Sequence, residues 1–268
     1  MKVGVSTASL FNRKNNEDAL PLLDKLGIPL AEVFLTSYYE YEESFGQLLL
    51  SRKGNISVHS VHDLNTQFEP QLFNANPRVR ADAYYFLGKV MSVAKMLGAK
   101  YYTFHGTARF KKADIHNKRD NFDTYRLRFQ EIADFCAKYG VRLCLENVEW
   151  ATYNKVGIFE KIASGVPSLL GVLDTKQARI STYPYEEYLK EMSGRLAHVH
   201  VSDYKGGKMC LPGKGDFDFP LLIERLKDVG FDGPLIVEAY KDDYQKEEEL
   251  KTACDYLNEL LYKKNCLS

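Results

Sequence analysis

A short apolar run recurs eight times along the chain, and seven of the eight follow a glycine that closes a helical stretch. The runs are KVGVS at the N-terminus, AEVFL from Ala31, ISVHSVH from Ile56, YYTFH from Tyr101, RLCLE from Arg142, LLGVLD from Leu169, LAHVH from Leu196 and PLIVE from Pro234. The glycines are Gly27, Gly54, Gly98, Gly140, Gly165, Gly194 and Gly230. A glycine just past a helix takes the left-handed conformation that closes the last turn without steric cost. Runs of this length, nearly continuous in apolar character, fit strands buried on both faces.

Amphipathic helical patterns lie between the runs. The clearest spans Pro77 to Leu97, with Asn76 as N-cap and Pro77 at the first helical position. Asp218 before Phe219 and Pro220 gives the same signature for a helix ending near Val229, and a last helix runs from about Lys246 to Tyr262. Eight strands alternating with helices within 268 residues predict an α/β protein. A single (β/α)8 TIM barrel over residues 1–268 fits this length better than an open doubly wound sheet. Connections from helix to strand are short. Three from strand to helix are long: Asp63 to Asn76, Gly106 to Asn121 and Ser202 to Phe217. Long loops beyond the C-terminal ends of barrel strands are where active sites are built.

Composition narrows the function classes. Lys plus Arg is 36 and Asp plus Glu is 36, so the chain lacks the basic excess that general DNA affinity needs. The five cysteines, Cys136, Cys144, Cys210, Cys254 and Cys266, show no CxxC spacing and read as reduced thiols. The N-terminal apolar stretch is too short and broken for a signal peptide, and no run approaches a membrane span. A cytoplasmic protein without a membrane partner is expected.

Candidate chemistry stands at the strand ends. The fifth strand ends on Glu146, the sixth on Asp174, the seventh on His200 and the eighth on Glu238. On a closed barrel these ends converge, and three carboxylates meeting there would repel one another unless a cation sat among them. The bland alternative, each carboxylate paired with a nearby Lys or Arg, serves for any one of them but poorly for all four at equivalent positions. Three oxygens and one nitrogen suit one divalent metal ion, Mn2+ or Mg2+ first, with Fe2+, Co2+ or Zn2+ also accommodated. His62 and His105 end the third and fourth strands, as hydrogen-bonded lining, as substrate contacts, or as ligands of a second ion with Glu146. His59, three residues before His62, should face the opposite side of its strand. His198 lies deeper than His200 and should orient a ligand. His116 reads as solvated.

Substrate contacts are less sharply marked. Trp150 and Tyr153 follow the fifth strand and could pack on the flat face of a ligand or simply against their loop. Gln177 could hydrogen-bond a hydroxyl. Lys205 could hold a phosphate or hydroxyl, but an exposed surface lysine is the better reading of any lysine taken singly. Arg109, Lys111 and Lys112 form a basic cluster in a long loop, of a kind more often merely solvated. In GKGDFDF, Asp216 could assist catalysis and Asp218 reads as a helix cap.

The motifs FHG at 104–106, LEN at 145–147, LDT at 173–175, HVHVSD at 198–203, GKGDFDF at 213–219 and VEAY at 237–240 together resemble the xylose isomerase-like barrel superfamily. That group includes sugar and sugar-phosphate isomerases and epimerases, inosose dehydratase and endonuclease IV. The resemblance implies that Glu146, Asp174, His200 and Glu238 ligate one divalent ion, as in the ketose 3-epimerases, with Glu146 and Glu238 also the catalytic acid/base pair. It implies that His62 and His105 match histidines which hold another zinc in endonuclease IV. Gln177 stands where endonuclease IV has a histidine, and Gly207-Lys208-Met209 lacks that enzyme's Asp-x-His, so its third zinc site is missing here.

These readings predict a metal-dependent isomerase or epimerase acting on a small sugar or sugar phosphate, by proton transfer through a metal-stabilised enediolate. The alternatives are an inosose-type dehydratase, an abasic-site endonuclease disfavoured by the missing ligands, and a barrel that binds a sugar without turning it over. A homo-oligomer is expected from family habit alone.

Overall fold

The computed structural model describes residues 1–64, 67–109 and 122–265. Eight parallel strands close into a barrel: β1 (Val3–Ser6), β2 (Leu30–Leu35), β3 (Ser57–Asp63), β4 (Tyr101–Phe104), β5 (Arg142–Glu146), β6 (Leu170–Asp174), β7 (Leu196–Val201) and β10 (Leu235–Val237). The ring runs β1-β10-β7-β6-β5-β4-β3-β2 and closes by β1 pairing with β2. All eight apolar runs are therefore strands of one barrel. A short antiparallel hairpin, β8 (Asp203–Lys205) and β9 (Lys208–Cys210), stands in the loop after β7 and was not foreseen.

Nine helices are described: α1 (Asn16–Lys25), α2 (Glu43–Arg52), α3 (Pro77–Leu97), α4 (Phe122–Ala137), α5 (Ile158–Ala163), α6 (Thr175–Ile180), α7 (Tyr185–Glu191), α8 (Phe219–Asp228) and α9 (Glu248–Asn265). The expected caps form. Asn76 Oδ1 accepts from Arg78 N at 3.0 Å, and Asp218 Oδ1 accepts from Leu221 N at 2.8 Å. Gly98 closes α3 at φ 78°, a conformation that a side chain would strain. Gly165 is the exception among the seven glycines, since it is not left-handed.

The strands bury two faces in different ways. Their outward residues, such as Leu143, Leu145, Leu173 and Val199, join the helices in one continuous apolar core. The lumen is stratified. Cys144, Leu170, Val172 and Ala197 form a small apolar cluster, Ser6, Glu32, Ser60, Thr103 and His198 a polar layer, and the strand-end groups lie beyond. Such layering of alternate strand residues is how a barrel interior becomes solid rather than a pore.

One expectation about facing fails. The β2–β3 register pairs Ala31 with Val58 but Glu32 with Ser60, leaving His59 as an extra residue in a bulge. A bulge breaks strict alternation. The His59 ring consequently sits edge-on to His198, centroids 5.1 Å apart, instead of turning away from the lumen. It remains structural, and burial holds its pKa down to about 3.

Among the described residues no helix is long and apolar enough to cross a membrane. Cys136, Cys144, Cys210 and Cys254 are unpaired, and Cys266 lies outside the described residues.

Candidate metal centre

Glu146, Asp174 and His200 end or nearly end β5, β6 and β7, and Glu238 follows β10 by one residue. Glu238 N still donates to Val201 O at 3.1 Å, which carries the strand ladder to the site. One donor atom from each of the four lies within 4.8 Å of the others, and all four residues are buried. Glu146 is central. Its Oε1 is 2.9 Å from His200 Nδ1, and its Oε2 is 2.8 Å from His105 Nε2. Asp174 is fixed by its backbone: its N–H donates to Asn147 Oδ1 at 2.7 Å, and its C=O accepts from Asn147 Nδ2 at 3.0 Å. Asp174 Oδ1 caps α6 by accepting from Gln177 N, while the buried Oδ2 has no hydrogen-bond partner.

Two groups absent from the sequence expectations complete the site. Glu32, fully buried on β2, accepts from Thr103 Oγ1 at 2.6 Å and from Ser60 Oγ at 2.7 Å. The same carboxylate lies 3.2 Å from His198 Nε2 and 3.0 Å from His200 Nε2. Glu32 thus stands between His198 and His200. Lys176, on α6 and also buried, places Nζ 3.1 Å from Glu238 Oε2 and 3.6 Å from Asp174 Oδ2, over the Tyr240 ring at 4.3 Å. Each had a faint signal: Glu32 is a lone carboxylate inside an apolar strand, and Lys176 lies two residues from Asp174.

The electrostatics follow from crowding. Burial works to raise Glu146 and Glu32, but the His200 charge and imidazole hydrogen bonds outweigh it and hold both well below the ordinary range. Burial likewise opposes ionisation of Glu238, which Lys176 and His200 overcome. For Asp174 burial wins, helped by repulsion from Glu146 and Glu238 against the pull of Lys176, and its pKa is pushed up to about 7. Burial disfavours the His200 cation, yet Glu32, Glu238 and Glu146 raise its pKa well above the usual value. Without a metal, this acidic cluster is balanced by protons and one ammonium.

The donor set fits a divalent ion. Three carboxylates and an imidazole nitrogen converge, and a buried Asp174 oxygen is left without a hydrogen-bond partner. His62 and His105 also join, Nε2 to Nε2 at 3.1 Å, and with Glu146 they form a second possible ligand group.

A cavity of about 240 Å³ opens above these groups. Trp150 and Gln177 line it, with Phe11, Phe34, Lys176 and Tyr240. The Trp150 ring lies 5.2 Å from that of His105. Four other candidates are not among its lining residues. Tyr153 is fully buried away from the cavity, its hydroxyl donating to Glu191 Oε2 at 2.7 Å, so it packs the loop. Lys205 is an exposed residue of the β8–β9 hairpin and does not line the cavity, because that hairpin carries it away. Asp216 is exposed and outside the cavity, and its segment instead wraps Asp203. Asp203 accepts from the N–H groups of Tyr204, Gly213, Gly215 and Phe217, at 2.8 to 3.0 Å. Arg109 is an exposed partner of Glu149. Lys111, Lys112 and His116 lie outside the described residues.

A barrel with carboxylate and imidazole donors at the C-terminal ends of consecutive strands defines a class, and the sequence comparison agrees. The chain belongs to the Xylose isomerase-like TIM barrel family, whose sequence profile matches residues 20–260. A protein of Methanocaldococcus jannaschii, named Uncharacterized protein MJ1311, is 26% identical over 160 residues, 54% of this chain and 52% of that protein. The chain spans about half the length of the curated relatives it matches. Two solved structures share the fold. D-psicose 3-epimerase from Clostridium cellulolyticum H10, solved with D-tagatose, has a TM-score of 0.74 at 17% identity, covering 97% of this chain and 99% of that one. The IolI protein with a bound zinc atom has a TM-score of 0.75 at 20% identity, covering 98% and 97%.

Proposed function

We propose that this chain is a divalent-metal-dependent isomerase or epimerase of a small sugar or sugar phosphate. The reading is carried by one observation: Glu146, Asp174, His200 and Glu238, far apart in sequence, bring one donor atom each within 4.8 Å of the others, and Glu146 and Glu238 open onto a cavity of about 240 Å³. The family supports it, as do a structural neighbour described as a sugar 3-epimerase and another with bound zinc. Glu146, Asp174, His200 and Glu238 would hold the ion, with Mn2+ the first candidate. Such an ion polarises a carbonyl and makes the neighbouring carbon acid stronger.

The protein's own groups do the rest. Glu146 and Glu238 stand three strands apart around the ring. They approach a ligand in the cavity from different sides, so one removes a proton from carbon and the other returns one. Both are held ionised, which suits a base that carries no proton at rest. Trp150 and Tyr240 supply flat apolar faces, and Gln177 an amide for a hydroxyl. His62 and His105 extend the polar floor and can hold a second ion.

The test is a screen of ketoses, aldoses and inososes with Mn2+, following solvent deuterium into carbon. Exchange with conserved mass apart from the label supports isomerisation or epimerisation. Loss of the mass of water assigns a dehydratase instead. No exchange with any of these ligands overturns the reading.

A further inference from the structure

Lys176 is an anomaly in a metal site. Its ammonium is buried and rests on two of the four candidate ligands, 3.1 Å from Glu238 Oε2 and 3.6 Å from Asp174 Oδ2. A dication held by the same carboxylates would face a like charge at close range, where repulsion is strong and poorly screened. Ammonium and dication therefore compete for Asp174 and Glu238.

An ammonium that yields those carboxylates needs another anion. Its surroundings are a cavity in which Phe11, Phe34, Trp150 and Tyr240 share the wall with polar groups such as Asp63 and Glu146, and a buried charge left unpaired there is costly. Lys176 is the only lysine or arginine among the described residues that line this cavity. A ligand arriving with its own negative group would supply the missing partner.

Resting on the metal-dependent reading above, we propose that Lys176 selects for an anionic substituent on the substrate, a carboxylate or a phosphate, and couples its capture to metal binding. Lys176 holds the Asp174–Glu238 pair when the site is empty, and the ligand's anion when it is loaded. Metal and anionic ligand then strengthen each other's binding, while a neutral sugar gains nothing from this residue.

Equilibrium dialysis of Mn2+ against the chelator-stripped full chain tests this without an activity readout. Lys176→Met removes the competitor and should tighten Mn2+ binding at least roughly tenfold. In the wild-type protein, D-fructose 6-phosphate or D-fructuronate should tighten Mn2+ binding at least roughly fivefold, after correction for Mn2+ bound by the sugar itself, and D-fructose should not. The difference should vanish in Lys176→Met, or in Lys176→Gln should the methionine variant not fold. A response to one anion alone supports the proposal and identifies the group as phosphate or carboxylate. Equal or weaker Mn2+ binding by the folded variants, or an equal wild-type response to all three sugars, overturns this proposal and leaves the metal-dependent reading standing. Absence of Mn2+ binding in every protein overturns both.

Discussion

The carboxylate of Glu32 lies 3.0 Å from His200 Nε2, on the far side of the imidazole from Glu146, which is 2.9 Å from Nδ1. One ring is thus gripped between two buried acids, one deep in the lumen and one at the strand ends. A carboxylate behind a ligating histidine fixes the ring and raises its basicity. Glu32→Gln keeps the shape but removes the charge, and should weaken Mn2+ binding about 10- to 100-fold. Metal titration of the stripped variant, with its circular dichroism as a check on folding, measures this. An unchanged affinity would mean that His200 needs no such support.

Glu146 and Glu238 carry the proposed proton transfers. Glu146→Gln and Glu238→Gln should each reduce turnover by about 10²-fold or more. Far-UV spectra should stay native, since the side-chain volumes barely change. Full deuterium exchange by either variant on the true substrate would remove that residue from the proposed acid/base pair.

The crowded charges also predict how the metal-free protein responds to pH. Asp174, pushed up to about 7, keeps a proton that the unfolded chain has released above about 4. The unfolded state therefore binds fewer protons, and stability falls as pH rises from about 4 to about 7. His200, raised well above its usual value, adds a term of the same sign: its contribution is present below about 6.5 and lost as pH rises through the folded value. Glu146, Glu32 and Glu238, held low, oppose this only at the acid end, where their stabilisation is lost as pH falls below about 4. Chelator-treated protein should melt at a lower temperature at pH 8 than at pH 6, and saturating Mn2+ should narrow that gap. A melting temperature that is flat or rises over this interval would contradict the charge balance described.

Gly215 provides a test of the loop that carries GKGDFDF. A methyl group there would stand 2.2 Å from the carbonyl oxygen of Tyr204 and 2.4 Å from Asp203 Oδ1. Gly215→Ala must therefore push the segment off Asp203, at a cost of about 1–3 kcal/mol. Thermal unfolding reads the loss, and an unaffected melting temperature would show that the loop adapts freely.

The eight strands were legible because each had to be apolar on both faces, and their end residues because a carboxylate or histidine closing such a run stands out. Asn76 and Asp218 were legible as caps because capping is local chemistry. The β8–β9 hairpin was hidden in a polar loop without a hydrophobic alternation. Tyr153, Lys205 and Asp216 carried the right functional groups, but nothing local says which way a loop turns.

The chain order of apolar runs, glycines and caps was enough by itself for the barrel, and the strand ends for the four candidate ligands, because both depend on spacing along the sequence. Only the tertiary structure decided that Glu32 stands behind His200, that a bulge turns His59 inward, and that Lys176 lies on Glu238. Those relationships join residues 62 to 168 positions apart, or hinge on a single register shift, and burial gives such contacts their strength only after the barrel has closed.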